Sequence, residues 1–274
     1  MSILNEKPKE SLKTFLNRCS TVCDLDIEKA YIVTCNVLKN HKSKDIPFED
    51  IEPWKKLETI WYDSLESGTP DYSVYSDPYY FTEAWLCWIA ASRSYLKSII
   101  SDKSMFGKSI VSDIGNINNV LDLGCGFAYS TIALKEFFPT ANVIGTNIEN
   151  SYQFKLAKEL GKQYDFTIQE DYKIKADLIF ASEYFEHFDR PIEHLIDIIK
   201  HCNPKYLIIA NGFGYKAMGH FDTYYHKEQS YTAKEMRGLF NTYLKSLGYT
   251  KQKTKCWFDN PEYWKKIENL DSFF

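Results

Sequence analysis

Residues 120–130 read VLDLGCGFAYS: an apolar run holding one acid, two glycines with one residue between them, and then the first turn of an amphipathic segment. In an open parallel sheet, ligands bind beyond the carboxyl ends of the strands where strand order reverses, usually after the first strand. The stretch occupies that place in the pattern. Gly124 and Gly126 let the chain turn tightly and approach a ligand with no Cβ in the way, and the helix that follows offers free amide donors.

Outward from it, short apolar runs alternate with helical periodicity. VLDL (120–123), NVIGTN (142–147), DFTIQ (165–169), DLIFAS (177–182) and YLIIAN (206–211) predict strands; AYSTIALKEFF, NSYQFKLAKELGKQY, PIEHLIDIIKHCN and TAKEMRGLFNTYLKSLGY predict helices between and after them. Apolar strands separated by helices mean a parallel sheet covered on both faces. KQKTKCWF (251–258) reads as one more strand, and no strand pattern is found in the carboxyl end DNPEYWKKIENLDSFF. Before residue 105 the periodicity is helical throughout: KESLKTFLNR, DIEKAYIVTCNVLKNH, PFEDIEPWKKLETIWYDSLE and TEAWLCWIAASRSYLKSII, with SGTPDYSVYSDP (67–78) as a loop and Thr82 as an N-cap. SDPYY (76–80) reads as a helix entry. The expectation is a helical cap over residues 1–105 on an α/β core over 106–274.

A dinucleotide fingerprint, G-x-G-x-x-G/A, requires Gly or Ala at 129, and this chain has Tyr129. What stands here is D-x-G-x-G-x-A, Asp122 through Ala128. A carboxylate at the end of the first strand is a poor neighbour for a pyrophosphate and a good one for an ammonium group, so a cationic cofactor without phosphates fits better.

With strand two ending NVIGTNIEN and strand four running ADLIFASEYFEHF, this spacing resembles the class I S-adenosylmethionine-dependent methyltransferases over roughly residues 116–250. The resemblance implies a doubly wound, mostly parallel Rossmann-like sheet and S-adenosyl-L-methionine as cofactor. By matching position it assigns Asp122 to the methionine amino group, with Gly124, Cys125 and Gly126 passing close by. Asn147 falls at the ribose and Asp171 and Tyr172 at the adenine, with Ile148 and, at the end of strand four, Ser182 as further cofactor contacts. The chain departs from the family at Ala128, which replaces a third glycine, and at Asn147, which replaces the acid that holds both ribose hydroxyls; Glu149 is a possible substitute. An amide accepts a hydroxyl proton with less than charge-assisted strength. In the family, helices before the core commonly cover the cofactor and build the acceptor pocket, and Arg93 lies in the helical segment nearest the glycine turn.

Methyl transfer to oxygen or nitrogen is an in-line displacement, so an enzyme aligns the partners and removes one proton. Glu183, Tyr184, Glu186 and His187 follow strand four directly, and His187 has a reference pKa near neutrality. Glu183, His187 and His226 are the candidate catalytic residues, although Glu186 and His187 equally suit capping of the next helix. No N-P-P-F, D-P-P-Y or Pro-Cys motif follows strand four, which argues against the usual DNA-methylating enzymes. E-x-x-E-H at Glu183, Glu186 and His187, with His226 further on, looks like the arrangement in small-RNA terminal 2'-O-methyltransferases, which implies a metal-assisted alternative. The connection NGFGYKAMGHFDTYYHKEQS (211–230), carrying His220 and His226, is long and aromatic, as lids and substrate loops are.

Composition narrows the partners. Thirty-three basic against 37 acidic residues give a net charge of −4, which leaves nucleic acid unfavoured and a small-molecule acceptor the leading expectation. The seven cysteines, at 19, 23, 35, 87, 125, 202 and 256, are scattered through apolar segments and suit reduced, buried thiols. There is no apolar run of 18 residues and no signal-like amino terminus, so a cytoplasmic protein without membrane contact is expected. Asn147 and the undetected last strand keep a third expectation open, a methyltransferase-like module that binds without catalysing.

Overall fold

The computed structural model describes residues 11–43, 54–82, 108–149, 151–214, 216–252 and 261–267. The helix expected over TEAWLCWIAASRSYLKSII beyond Thr82, with Cys87 and Arg93, lies outside them, as do Cys256 and most of KQKTKCWF. The core sheet contains β1 (Asn119–Leu123), β2 (Asn142–Thr146), β3 (Thr167–Gln169), β4 (Leu178–Ser182), β5 (Tyr206–Ala210), β8 (Tyr249–Gln252) and β9 (Glu262–Lys266). Their order is β3-β2-β1-β4-β5-β9-β8. β1 to β5 run parallel, and β9 lies antiparallel between β5 and β8. β1 is flanked by β2 on one side and β4 on the other, so strand order reverses at its carboxyl end.

The five parallel strands form where the continuous apolar runs predict. β9 corrects the sequence reading, because a seventh strand does arise within DNPEYWKKIENLDSFF. Tyr263 and Trp264 point to opposite faces there, each with at most 1% of its surface exposed. Tyr263 donates to Asp113 Oδ2 at 2.9 Å and Lys265 pairs with the same carboxylate at 3.0 Å, which ties the strand to the short helix α4 (Ile110–Ile114).

Side chains alternate across the sheet. Leu121, Leu123, Ile179, Ala181, Leu207 and Trp264 pack under α7 (Pro191–Cys202) and α8 (Ala233–Ser246). Val120, Val143, Leu178, Phe180 and Ile208 pack with α4 and α5 (Tyr129–Phe137) on the other face. Ser151 caps α6 (Tyr152–Tyr164), and Thr232 with Glu235 forms a capping box on α8.

The amino-terminal helices α1 (Leu12–Cys19), α2 (Ile27–Ser43) and α3 (Trp54–Glu66) meet the core in two places. Phe15, Leu16, Cys19 and Cys23 pack with Phe127, Tyr129 and Leu156 beside the glycine turn, and burial pushes the Cys23 thiol up to about 11. Leu57, Trp61 and Val74 pack on Met218, beyond β5. The expected loop at 67–78 contains a 3-10 turn over Tyr72–Ser76, and a second over Pro78–Tyr80 follows with Asp77 accepting from Tyr79 N at 2.7 Å. Thr82 is buried and shares a hydrogen bond with Thr34 at 3.2 Å; the helix that it is expected to cap lies outside the described residues.

The long connection after β5 is a packed element, in which Phe213, Met218, His220 and Tyr224 are buried. Its second half is the hairpin β6 (Thr223–His226) and β7 (Gln229–Thr232), closed by a two-residue turn with Lys227 at φ 53°. No helix among the described residues is long and apolar enough to cross a membrane.

Candidate functional site

At the carboxyl end of β1 the backbone takes positive φ at Gly124 (63°), Gly126 (54°) and Ala128 (65°). The first two are free for glycine; at Ala128 the left-handed conformation costs about 1 kcal/mol. A Cβ on Gly124 would stand 2.5 Å from the Tyr184 ring, whereas at Gly126 nothing lies within 4 Å. The turn therefore opens at Gly126. Cys125, buried between them, donates its amide to Thr146 O at 2.9 Å, and burial beside Asp122 holds its thiol far above the ordinary range.

Asp122 alternates onto the α5 face and is 1% exposed. Its Oδ2 accepts from Ser130 Oγ at 2.7 Å and Thr131 Oγ1 at 2.6 Å. Burial pushes its pKa up to about 7, against the pull of the two hydroxyls. Asn147 explains its own departure from the family pattern. Its Nδ2 donates to Gly126 O at 2.8 Å while Oδ1 accepts from Ile148 N at 2.8 Å, and a carboxylate could not make the first bond.

Ile148 follows with 49% of its surface exposed, an apolar platform at the end of β2. Glu149 is exposed, and its amide donates to Glu170 Oε1 at 3.4 Å. Asp171 is exposed and accepts from Lys173 N at 2.9 Å. Tyr172 turns toward α7, where its hydroxyl donates to Asp197 and its ring meets His194 edge-on at 5.3 Å.

Beyond β4 and β5 the polar residues converge. Ser182 pairs with Ala210 at the strand ends, and Glu183 takes φ 50° immediately after. Glu186 is fully buried, and its Oε1 accepts from Gly212 N at 2.6 Å. A Cβ on Gly212 would meet Glu183 Oε2 at 2.6 Å, Glu186 Oε1 at 3.0 Å and His220 Cε1 at 3.2 Å, so this glycine lets two carboxylates and an imidazole crowd together. The His187 and His220 rings lie edge to face at 4.8 Å. Glu186, His187 and His220 each present a potential metal-ligand atom within 4.8 Å of the others. Burial, then the neighbouring His220, lowers the His187 pKa to about 3, so this imidazole is neutral.

Of the sequence candidates, the structure brings Glu183, Glu186 and His187 together and adds His220. It holds His226 elsewhere, with Nδ1 on Glu193 Oε1 at 2.9 Å and Nε2 on the Tyr243 hydroxyl at 2.5 Å. Tyr75, from the amino-terminal cap, was not singled out by the sequence. Its hydroxyl lies 2.8 Å from His187 Nδ1.

No curated protein matches the chain. An O-methyltransferase family 2 protein from Planctomyces limnophilus, solved in complex with apigenin, shares 14% identity over 97% of this chain and 99% of its own at TM-score 0.50. The StiE O-MT region shares 20% identity over 60% of this chain at TM-score 0.40, and this chain spans about half of its length (54%). A Methanococcus jannaschii fibrillarin pre-rRNA processing protein shares 12% identity over 65% of this chain and 76% of its own at TM-score 0.45. At 14% identity the likeness to the Planctomyces limnophilus protein speaks for the fold alone. Residues 93–267 match the family described as "Methyltransferase domain", and with that match and the strand order above, the chain belongs to the class I methyltransferase family.

Proposed function

We propose that this protein transfers a methyl group from S-adenosylmethionine to an oxygen or nitrogen atom of a small or medium-sized acceptor. The observation that carries the reading is the open turn at Gly126, one strand away from the polar cluster beyond β4 and β5. The turn suits the cofactor because the missing Cβ leaves room beside the backbone, and exposed Ile148 offers a flat apolar face for a purine. In this reading Glu149 lies toward the ribose and Asp171 toward the adenine, while Tyr172 is held back on α7. Asp122 supports the turn from within through Ser130 and Thr131.

When bound, the cofactor supplies a methyl carbon on a positively charged sulfur, which an acceptor lone pair displaces in line. The protein aligns that lone pair and takes the acceptor's proton, a task that falls to Glu183, Glu186 and His220, beside His187. In this reading His226 braces the β6–β7 hairpin. Residues 1–105 act as the cap and 106–274 as the catalytic core. The test is incubation of the protein with methyl-labelled cofactor and a panel of phenols, hydroxy acids and amines. Transfer by the native protein, and its loss in His220→Asn with cofactor binding retained, is expected; no transfer to any acceptor in an extract would oppose the reading.

A second reading is favoured by the 4.8 Å spacing of Glu186, His187 and His220. Two imidazoles and a carboxylate suit a divalent transition metal, which would hold a ribose or other hydroxyl for methylation. Stoichiometric metal uptake and inhibition by chelators would support it, and activity unchanged by chelators would remove it.

A further inference from the structure

Tyr75 reaches the site from outside the methyltransferase core. It sits in the 3-10 turn Tyr72–Ser76, which is fastened at both ends of its first residues: Asp71 accepts from Ser73 N at 2.9 Å, and the Asp71 amide donates to Ser64 Oγ at 2.9 Å. Buried Val74 anchors the turn against Leu57, Trp61 and Met218, and the Tyr75 ring meets Tyr80 edge-on at 5.8 Å. The cap also grips the loop that carries His220: Trp61 Nε1 donates to His220 O at 2.8 Å.

At His187 Nδ1, two oxygens compete. Tyr75 Oη stands 2.8 Å away and Gly219 O stands 3.1 Å away. Gly219, at φ 87°, is the residue that permits this approach, since a Cβ there would lie 1.7 Å from the Tyr75 hydroxyl and 2.5 Å from Nδ1. The two oxygens ask opposite things of the ring. A carbonyl only accepts, so Gly219 is satisfied when Nδ1 carries the proton; a phenol can donate, and does so when Nδ1 is bare. Only one of the two can be matched to a given position of the ring proton, and the shorter contact is the one to the phenol.

We propose that Tyr75 is a positioning residue for methyl transfer: it donates to His187 Nδ1 and thereby keeps the ring proton on Nε2. With its proton on Nε2 and Nδ1 occupied by the phenol, His187 cannot itself take the acceptor's proton. The acceptor's proton is left to the neighbouring Glu183, Glu186 and His220. The chemical balance is that of any methyl transfer: the carbon–sulfur bond breaks as the bond from carbon to the acceptor atom forms, the sulfonium leaves as a neutral thioether, and the proton passes to one of these groups. The amino-terminal cap, on this account, sets a proton position inside the core. The inference rests on the methyl-transfer reading for its purpose, though not for its geometry.

Nitrogen-15 NMR of histidine-labelled protein, with His187 assigned by its loss in His187→Gln, tests it without cofactor or acceptor. The expected result is an Nε2–H tautomer in the native protein and a shift to Nδ1–H, paired with Gly219 O, in Tyr75→Phe. Loss of one hydrogen bond of ordinary strength predicts about a tenfold fall in kcat for Tyr75→Phe, with the KM for S-adenosylmethionine unchanged. An Nδ1–H tautomer in the native protein overturns the proposal, even were the variant unable to fold. So does the same tautomer in both proteins. If the tautomer shifts as expected but no acceptor is methylated, the proposed function fails and the assignment of Tyr75 to the His187 proton stands.

Discussion

Asp122→Asn should make the protein's stability less sensitive to pH, and by an amount that follows from burial. In the unfolded chain this carboxyl titrates near 3.8, and in the folded protein burial raises it to about 7 despite the hydroxyls of Ser130 and Thr131. Below pH 3.8 it is protonated in both states and folding is not penalised. Between 3.8 and 7 the unfolded state ionises first, so stability from this group falls as pH rises, and above 7 the loss is complete. The interval is worth roughly 4 kcal/mol at about 1.4 kcal/mol per pH unit. Asn keeps the shape and an accepting oxygen but does not titrate. Urea unfolding of both proteins at half-unit steps from pH 4.5 to 8.5 should therefore show the variant gaining on the native protein by about 1.4 kcal/mol per unit up to pH 7, then levelling. A difference that stays constant across that range would refute the reasoning, because a fixed packing change has no pH slope.

Gly145→Ala in β2 would place a Cβ 2.7 Å from Ile168 Cδ1, 2.9 Å from Cys125 Sγ and 3.0 Å from Thr131 Oγ1; overpacking should cost about 2 kcal/mol by urea unfolding, and a loss under about 0.5 kcal/mol would mean that this layer yields. Thr232→Ala removes one half of the capping box on α8 and should cost about 1 kcal/mol, read the same way, with Ser in place of Thr restoring it. Trp61→Phe removes a fully buried indole and its bond to His220 O; a loss of about 2 kcal/mol is expected, together with a moved His220 ring resonance, and an unmoved resonance would mean that the cap does not hold that loop.

The parallel sheet was legible because its strands are buried on both faces and so read as unbroken apolar runs. β9 was not, because EYWKK sets two adjacent aromatics on opposite faces between charged ends, and it becomes a strand through pairing with β5 and the Asp113 brace. The undetected strand had been one of two grounds for a non-catalytic module, and its presence removes that ground. The β6–β7 hairpin lacked a Gly or Asn in its turn and hid inside a long connection. At the site, Glu183, Glu186 and His187 were visible because they follow an apolar strand at short spacing. His220 was preferred over His226 by nothing in the sequence; Gly212 and the Trp61 contact make that choice in three dimensions. Tyr75 lay in an aromatic stretch where pairing partners depend on where the cap lands. Asn147 was read as a weakened ribose ligand, and its bond to Gly126 O gives it a structural reason of its own.

The central claim is that the turn at Gly126 holds S-adenosylmethionine. Calorimetric titration of the native protein and of Gly126→Asn tests it directly. Asn tolerates the left-handed backbone, and its side chain would enter space that is open within 4 Å in the native protein. The account predicts saturable one-to-one binding by the native protein and its loss in a variant with an unchanged unfolding transition. Absence of binding by the native protein, or equal binding by both, would contradict it.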